Sequence, residues 1–260
     1  MESLTEVHAA GCPTNDMSGA VVRTLKVEEV CKTFVTAGGP IEALSGVSFE
    51  IPESSCTVIG GENGSGKSLL MAIIAGLERA DSGTVTAYAK AGLVFQEAET
   101  QILGETPRED IAFGPKNLGW QPEKVSVAIA HALERTGLTA KADFPARFLS
   151  GGEKRRLAVA CMLAMDLPII IMDEPYANLD FTGVKQVNAL IKTLKQDRKT
   201  VIILTHEIEK CLGLADRFIV LFRGKKVFDG TPQNGIEQDL EQWNIRNPLA
   251  TYTAIEDMIW

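Results

Sequence analysis

The chain lacks three features that would each indicate a particular class of protein. None of its stretches approaches 18 consecutive apolar residues, so we expect no membrane-spanning helix. The five cysteines include no C-x-x-C pair and so offer no zinc-binding pattern; they stand at positions 12, 31, 56, 161 and 211. Lys and Arg number 26 against 34 Asp and Glu, and this deficit of positive charge argues against a general nucleic-acid binder.

What remains is typical of a soluble cytoplasmic enzyme. A chain of 260 residues with 45% hydrophobic content is long enough for one large domain with an inserted lobe, and no repeat of 20–50 residues is visible. Residues 9–12 faintly resemble a lipoprotein cleavage site, but a basic start and an apolar core are missing, so export is not expected. Gly, Pro, Asn and Ser are frequent before position 20, and we expect residues 1–22 to form a flexible tail without a role in the chemistry.

The strongest motif is the glycine-rich segment Gly61-Glu62-Asn63-Gly64-Ser65-Gly66-Lys67-Ser68. The apolar run 56–59 predicts a buried strand before it, and residues 69–77, beginning with Leu69, predict a helix after it. Glycines allow successive backbone N–H groups to turn toward an anion, and the helix N-terminus adds a partial positive charge. Lys67 can then reach the β- and γ-phosphates of a nucleoside triphosphate, while the Ser68 hydroxyl can bind Mg²⁺.

A second set of chemical groups follows another apolar run. Residues 169–172 predict a buried strand, and Asp173 and Glu174 come directly after it. Ligands bind at the carboxyl ends of parallel strands, so Asp173 can hold Mg²⁺ and Glu174 can act as general base toward an attacking water. A polar loop is the alternative interpretation of two adjacent acids.

Three weaker signals complete the pattern. Ser150-Gly151-Gly152 precedes a helical segment that extends to about residue 167, and small residues before a helix N-terminus again predict an anion site. Lys154, Arg155 and Arg156 lie in the first turn, which indicates either a docked anion or a solvated face. Gln96 and His206 each follow an apolar run and are predicted to lie at strand ends.

The order of these segments predicts an α/β fold. Short strands and turns alternate up to about residue 93, residues 97–167 are mainly helical, and strands return at 169–172, 201–205 and 218–222. Apolar positions 125, 128, 129, 132 and 133 predict an amphipathic helix that starts at Pro122 and is capped by Gly137. Continuous apolar strands separated by a helix at 184–195 are typical of a parallel sheet covered on both faces.

Taken together, residues 25–232 resemble the ATPases of ATP-binding-cassette (ABC) transporters, because the phosphate loop, Gln96, Leu149-Ser150-Gly151-Gly152, Asp173-Glu174 and His206 occur in that family's order. The resemblance implies a P-loop NTPase (RecA-like) core with a mainly parallel sheet, an N-terminal antiparallel β subdomain and an inserted α-helical signature subdomain. It implies an ABC ATPase domain at 23–232, with the helical subdomain at about 97–167, and an extension at 233–260.

The resemblance also implies roles for single residues. Phe34 would stack on adenine, Gln96 would be the Q-loop glutamine that touches Mg²⁺ and the attacking water, and His206 would be the switch histidine. Asp180 would belong to the D-loop, and Ser150, Gly151 and Gly152 would contact the nucleotide from a second ATPase subunit. ATP and Mg²⁺ are the implied ligands.

Within that family the chain most resembles the ATPase subunit of energy-coupling factor (ECF) transporters, on the run Glu109-Asp110-Ile111-Ala112-Phe113-Gly114-Pro115 after the Q-loop. The resemblance implies a peripheral subunit on the cytoplasmic face of the cell membrane that powers import of a vitamin or transition-metal ion. Its partners would be a transmembrane coupling subunit, a substrate-binding membrane subunit and a second ATPase subunit, without nucleic acid. The alternatives are a soluble ABC ATPase of repair or translation and the ATPase of another transporter class.

Three local expectations are open to a structural test. Residues 97–119 are expected to contact the membrane subunits, although Ile102, Leu103, Ile111 and Phe113 would alternatively pack the helical lobe. Glu153 is expected to face solvent, and Glu62 to place a negative charge near the phosphates. The aromatic residues of 233–260 are expected to pack on the subunit itself or on a second subunit; they are Trp243, Tyr252 and Trp260.

Overall fold

The computed structural model describes residues 14–15 and 21–249, with side chains from residue 23 onward. The strands are β1 (Thr14–Asn15), β2 (Val21–Val22), β3 (Thr24–Thr36), β4 (Gly39–Pro52), β5 (Cys56–Gly60), β6 (Ser82–Thr86), β7 (Ala91–Val94), β8 (Ile169–Asp173), β9 (Thr200–Thr205), β10 (Arg217–Phe222) and β11 (Lys225–Gly230). The helices are α1 (Lys67–Ile74), α2 (Pro107–Asn117), α3 (Pro122–Arg135), α4 (Gly151–Ala164), α5 (Phe181–Gln196) and α6 (Pro232–Ile236). Short 3₁₀ turns occupy Ala98–Gln101, Thr139–Lys141, Ala146–Phe148, Ile208–Lys210, Leu212–Leu214 and Leu240–Trp243.

The central sheet has six strands in the order β11-β10-β5-β9-β8-β7. The five strands from β10 to β7 run parallel, and β11 pairs antiparallel with β10 in a hairpin. The carboxyl ends of β5, β8 and β9 therefore meet at one edge. This edge brings together the glycine-rich loop after β5, Asp173 at the end of β8 and His206 after β9.

The core lies on both faces of this sheet, as its continuous apolar strands predict. Alternate residues of each strand face opposite sides: Ile170 and Met172 join the cluster that contains the larger helices, while Ile169 and Ile171 join the cluster beneath the antiparallel strands and α1. The four side chains of β8 named here are 2% exposed or less. The predicted strand is confirmed and extends one residue further, to Asp173.

A second, antiparallel sheet covers one of these faces. Its order is β4-β3-β6, and its buried side chains Leu25, Val27 and Leu44 pack on the same cluster as α1. The expected antiparallel β segment near the N-terminus is therefore confirmed. The short strands β1 and β2 pair with each other, and the rest of the expected flexible tail at 1–22 lies outside the described residues.

Helices α2, α3 and α4 occupy the segment expected to be helical. The amphipathic helix is confirmed as α3, with Pro122 at its first position and Gly137 at φ 66° just after its end. Helix α1 starts at Lys67 and ends at Ile74, where a helix over 69–77 was predicted, because Gly76 at φ 74° turns the chain. Among the described residues, no helix is long and apolar enough to cross a membrane.

The first part of the C-terminal extension packs on the core. Leu240 and Ile245 are buried, and the ring of Trp243 lies 6.3 Å from that of Phe228 on β11. Self-packing is thus confirmed for Trp243, while Tyr252 and Trp260 lie outside the described residues. Cys56 is a buried core residue, whereas Cys161 is half-buried and its Sγ lies 3.3 Å from Oδ2 of Asp110.

Candidate active site

The glycine-rich loop forms a cradle that larger residues would fill. A Cβ on Gly61 would lie 2.3 Å from the Leu221 carbonyl oxygen, and one on Gly66 would lie 2.9 Å from that of Ala43. Gly66 also adopts φ 99°, a left-handed conformation that strains residues with a side chain. The loop reverses tightly enough for the Ser65 amide to donate to the Glu62 carbonyl at 3.2 Å. Ser65 Oγ is buried without a hydrogen-bond partner in the described part of the chain.

Lys67 points into this cradle. Its side chain is buried, and Nζ donates to the carbonyl oxygens of Gly61 at 2.8 Å and Glu62 at 3.0 Å. Burial lowers the pKa of Lys67, while the carboxylates of Glu174, Asp173 and Glu62 partly offset that effect. The ammonium is thus held where a phosphate oxygen could replace the loop carbonyls as its acceptor. Asn63, Gly64 and Ser68 are exposed on the rim, and Leu69 is half-buried.

Asp173 and Ser68 provide oxygen ligands suited to a magnesium ion. Burial raises the pKa of Asp173, and a hydrogen bond from the Ser68 hydroxyl acts in the opposite direction. Oδ1 of Asp173 is buried without a partner in the described residues, an unfavourable position that a cation would relieve. Within the part of the chain described by the structure, no group of three or more His, Cys, Asp and Glu side chains is arranged to hold a metal ion. A hydroxyl, a single carboxylate and water oxygens match the preference of Mg²⁺ for oxygen ligands and retained waters.

Glu174 is held by the end of β9 and by Lys67 at the start of α1. Its backbone adopts φ 44°, and its amide donates to the Leu204 carbonyl at 2.9 Å. The Thr205 hydroxyl donates to Oε2 at 3.0 Å, and Nδ1 of His206 lies 2.9 Å from Oε1. Nζ of Lys67 is 3.8 Å from Oε1. The structure therefore brings Lys67, Glu174 and His206 close together. This agrees with the prediction that the glycine-rich loop, Glu174 and His206 each follow a strand of the sheet. The sequence interpretation missed Thr205, although it directly precedes His206 at the end of β9.

The Ser150-Gly151-Gly152 segment forms the N-terminus of α4. Ser150 Oγ accepts from the Glu153 amide at 3.3 Å, and Glu153 Oε2 accepts from the Ser150 amide at 2.9 Å, which is a capping box. Lys141 pairs with Glu153 at 2.6 Å. Burial alone would raise the pKa of Glu153, but the hydrogen bonds from Lys141 and Ser150 outweigh it and lower the pKa. The expectation that Glu153 faces solvent is wrong, because the carboxylate completes the cap.

Arg155 connects α4 to two loops at the carboxyl edge of the sheet. The side chain is buried, and Nη2 donates to the carbonyl oxygens of Ala177 at 2.7 Å and Gln96 at 3.4 Å. The interpretation of residues 154–156 as a solvated face is therefore wrong for Arg155. Two backbone acceptors offset part of the cost of its burial, while Nε is buried without a partner in the described residues. A cavity of 190 Å³ lies between these segments and is lined by Gln96, Glu97, Ala98, Glu99, Gly151, Lys154, Arg155, Ala177 and Asn178.

Phe34 and Asp180 lie apart from these contacts, whereas Glu62 takes part in them through its carbonyl oxygen and turns its carboxylate toward another segment. Phe34 is 42% exposed on β3, with its ring 5.6 Å from Nζ of Lys32, so a flat apolar surface is accessible. Asp180 caps α5, because its Oδ1 accepts from the Gly183 amide at 2.7 Å. Glu62 is half-buried in the loop, and its Oε2 accepts from Nδ2 of Asn244 at 2.6 Å. The roles of Phe34 and Asp180 in nucleotide binding stay predictions.

Comparison with known proteins agrees with this geometry. A family model described as "ABC transporter" matches residues 44–177. The energy-coupling factor transporter ATP-binding protein EcfA of Carboxydothermus hydrogenoformans is 37% identical over 222 residues, which cover 80% of this chain and 82% of the relative. EcfA2 of Methanospirillum hungatei is 39% identical over 206 residues, or 74% of this chain, which spans only 52% of that relative's length.

Solved structures show the same fold. The structure of cbiO1 from Clostridium perfringens, described as part of the ABC transporter complex cbiONQ, is 30% identical with a TM-score of 0.74 and covers 86% of this chain and 95% of its own. The ATP-binding cassette MJ0796, in a dimeric post-hydrolysis state with ADP and Pi, is 28% identical with a TM-score of 0.71 over 80% of this chain and 98% of its own. The expected α/β fold of P-loop ATPases is thereby confirmed.

Proposed function

Because the chain belongs to the ABC transporter family and is an ATPase of the ECF type, we propose that it powers an importer as its ATP-hydrolysing subunit. The importer carries a vitamin or transition-metal ion across the cytoplasmic membrane, and this subunit works on the cytoplasmic face. A separate membrane subunit binds the transported substrate, so the substrate's identity lies outside this chain. The domain organisation that we propose is an ATPase domain at 23–232, with its helical subdomain at about 97–167, followed by the extension at 233–260.

The observation that carries the proposal is the contact of Lys67, Glu174 and His206 at the edge of a glycine cradle. Lys67 binds the β- and γ-phosphates, and the loop amides and the α1 N-terminus orient them. Ser68 and Asp173, with Gln96, would hold Mg²⁺, which when bound neutralises phosphate charge. Glu174 takes the proton of the attacking water, while Thr205 and His206 fix the orientation of its carboxylate.

We propose that a second ATPase subunit completes this site. Among the described residues, no hydrogen bond or ion pair joins Ser150 to Lys67, Asp173 or Glu174. The capping box satisfies the amides of Ser150 and Glu153, which leaves those of Gly151 and Gly152 as free donors of the first turn. In the proposed dimer these two amides and Ser150 reach the phosphates bound by the partner's loop. Phe34 stacks on the adenine of a bound nucleotide. Asp180 belongs to the D-loop and lies at the dimer interface.

The surface next to the Q-loop fits contact with a transmembrane coupling subunit. Its groove has a volume of 720 Å³ and is lined by Glu99, Ile102, Gly104, Glu105, Thr106, Pro145, Ala146, Arg147 and Lys154. Leu103, which stands between two residues of the groove lining, is 68% exposed, and Phe113 on α2 is 51% exposed, so neither packs the helical lobe. Ile111, in contrast, is fully buried there. Asp110 Oδ1 accepts from the amides of Leu103 and Gly104 and holds this rim in place.

Substitution of Lys67 tests the ATPase assignment. In a reconstituted complex, Lys67→Ala should abolish ATP binding and hydrolysis, because the phosphates lose their nearest cation. Lys90→Ala is the matched control, since Lys90 is exposed after β6 and contacts no residue of the loop. Equal hydrolysis by wild type and Lys67→Ala would refute the assignment.

The docking surface needs a test that spares the fold. Gln101 is unsuitable, because its side chain bonds to the Phe95 amide and the Leu93 carbonyl and so fastens the end of β7. We therefore choose the double variant Leu103→Glu, Phe113→Glu, with Val127→Glu on α3 as control, since Val127 is 69% exposed. The double variant should keep its fold and ATP affinity but lose co-purification with membrane subunits from detergent-solubilised membranes. Retained recruitment and transport would refute this surface, and recovery of soluble partners alone would favour a non-transport ATPase.

A further inference from the structure

A hydrogen bond links the phosphate loop to the C-terminal extension. Nδ2 of Asn244 donates to Oε2 of Glu62 at 2.6 Å, across a sequence separation of 182 residues. Glu62 is the acid within the loop, and its carboxylate is close enough to Lys67 to offset, after Glu174 and Asp173, a part of the burial that lowers the pKa of that lysine. The direction in which the Glu62 side chain points therefore affects the charge that a bound triphosphate meets.

Asn244 is held firmly enough to act on Glu62. Its backbone adopts φ 55° and ψ 33°, a left-handed conformation that Asn tolerates better than most residues. The Asn244 amide donates to the Glu241 carbonyl at 2.9 Å, and the Ile245 amide donates to Leu240 at 3.1 Å. Leu240 and Ile245 are 1% and 2% exposed, so the turn is anchored in the core on both sides of Asn244.

The anchor also connects to the strand beside the loop. Trp243 packs on Phe228, whose ring lies 5.8 Å from that of Phe218. Phe218 belongs to β10, which pairs in parallel with β5, the strand that leads into the loop. Asn244 and the loop are therefore attached to the same packed core. This packing fixes the distance between the backbone of Asn244 and that of Glu62.

We propose that Asn244 is a positioning residue for ATP binding, which holds the Glu62 carboxylate and keeps its charge from turning toward the phosphates. The proposal rests on the proposed function, because it assumes that the loop binds ATP. The repulsion between two unit negative charges about 6 Å apart in water weakens binding about threefold. The four negative charges of ATP increase this repulsion. The C-terminal extension thereby tunes the affinity of a loop that lies 182 residues earlier in the chain.

Three variants test the contact in the full-length chain. Asn244→Asp keeps the left-handed turn but replaces the donor by a second carboxylate, and should raise the Kd for ATP about tenfold. Asn244→Gly keeps the turn without a side chain and should raise it about threefold. In Glu62→Gln/Asn244→Asp the amide of residue 62 can donate to the new acid, so the Kd should return to within about twofold of Glu62→Gln alone.

Two controls separate positioning from folding. Gln242→Ala alters the same turn, where Nε2 of Gln242 contacts only the Asp239 carbonyl among the described residues, and should leave the Kd unchanged. The thermal midpoint without nucleotide should stay the same in Asn244→Asp, and hydrolysis in the assembled complex should show a raised KM with kcat retained. The rise in Kd should also shrink at high ionic strength, because the pair is exposed.

The outcomes are distinguishable. If the wild-type chain binds ATP, two results would overturn this inference alone. One is a Kd of Asn244→Asp equal to that of Gln242→Ala, and the other is a Kd of Asn244→Asp that the added substitution Glu62→Gln does not restore. A wild-type chain that binds no ATP overturns the proposed function and this inference together.

Discussion

Two helices of this protein start at glycine-rich segments, and their first turns differ. Helix α1 begins after Gly66, which supplies no side-chain cap, and has no acidic residue in its first turn. Helix α4 begins after Ser150 and carries a capping box with Glu153, whose carboxylate also pairs with Lys141. The amides of α1 therefore face the cradle without an internal acceptor, while two amides of α4 are already satisfied.

The surroundings of the two helices differ in which polar groups are left without a partner. Near α1, Ser65 Oγ and Asp173 Oδ1 are buried without a partner in the described residues, which fits atoms that await a ligand. Near α4, Nη2 of Arg155 donates to the carbonyl oxygens of Ala177 and Gln96, while the Nε donors of Arg155 and Arg156 are buried without a partner in the described residues. The first helix can thus bind an anion within one chain, and our proposal assigns to the second an anion bound by a partner.

The largest effect should come from the α1 side. Glu174→Gln keeps the size of the side chain but removes the base, so hydrolysis in the reconstituted complex should fall about 10²–10⁴-fold. ATP binding, measured by calorimetry, should persist, because Lys67 and the loop remain. Glu207→Gln, an acid that pairs with Lys210, is the control. Normal hydrolysis by Glu174→Gln would transfer the role of base, with His206 the next candidate.

A smaller effect on hydrolysis should show whether Ser150 only caps α4 or also lies near a bound phosphate. Asn and Asp side chains are of similar size, and both cap helices well. Ser150→Asn and Ser150→Asp should therefore each retain a thermal midpoint close to that of wild type. The added negative charge of Asp would face the partner's phosphates, and we expect hydrolysis at least about tenfold below that of Ser150→Asn, as 1.4 kcal/mol of repulsion would give. Equal rates in the two variants would mean that no phosphate approaches Ser150.

The smallest effect concerns stability. Arg155→Gln removes a charged donor from two backbone acceptors, a loss that should lower the thermal midpoint by about 3–10 °C in a chain of this size. Lys154→Gln is the control and should shift it less, because its partner Glu99 is exposed and solvent screens the pair. A midpoint for Arg155→Gln equal to that of the control would show that the Arg155 contacts are not stabilising.

Much of the fold was predictable because its signals are local. Continuous apolar runs predicted β5, β8, β9 and β10, and alternation within each run buries both faces of the sheet. The glycines of the loop, the acids after β8 and the histidine after β9 are defined by their neighbours in sequence. Parallel strands bring such strand ends to one edge, so their proximity followed from topology.

The sequence by itself determined the parallel sheet, the phosphate cradle and the residues at its edge, since each depends on a few adjacent residues and on strand direction. Only the tertiary structure decided that Arg155 is buried, that Gln101 fastens the end of β7 and that Asn244 holds Glu62. These contacts join residues far apart in the chain, and whether a polar side chain finds its partner depends on how the intervening segments pack. Sequence patterns report the environment of a residue along its own element, whereas packing between elements determines which polar groups meet.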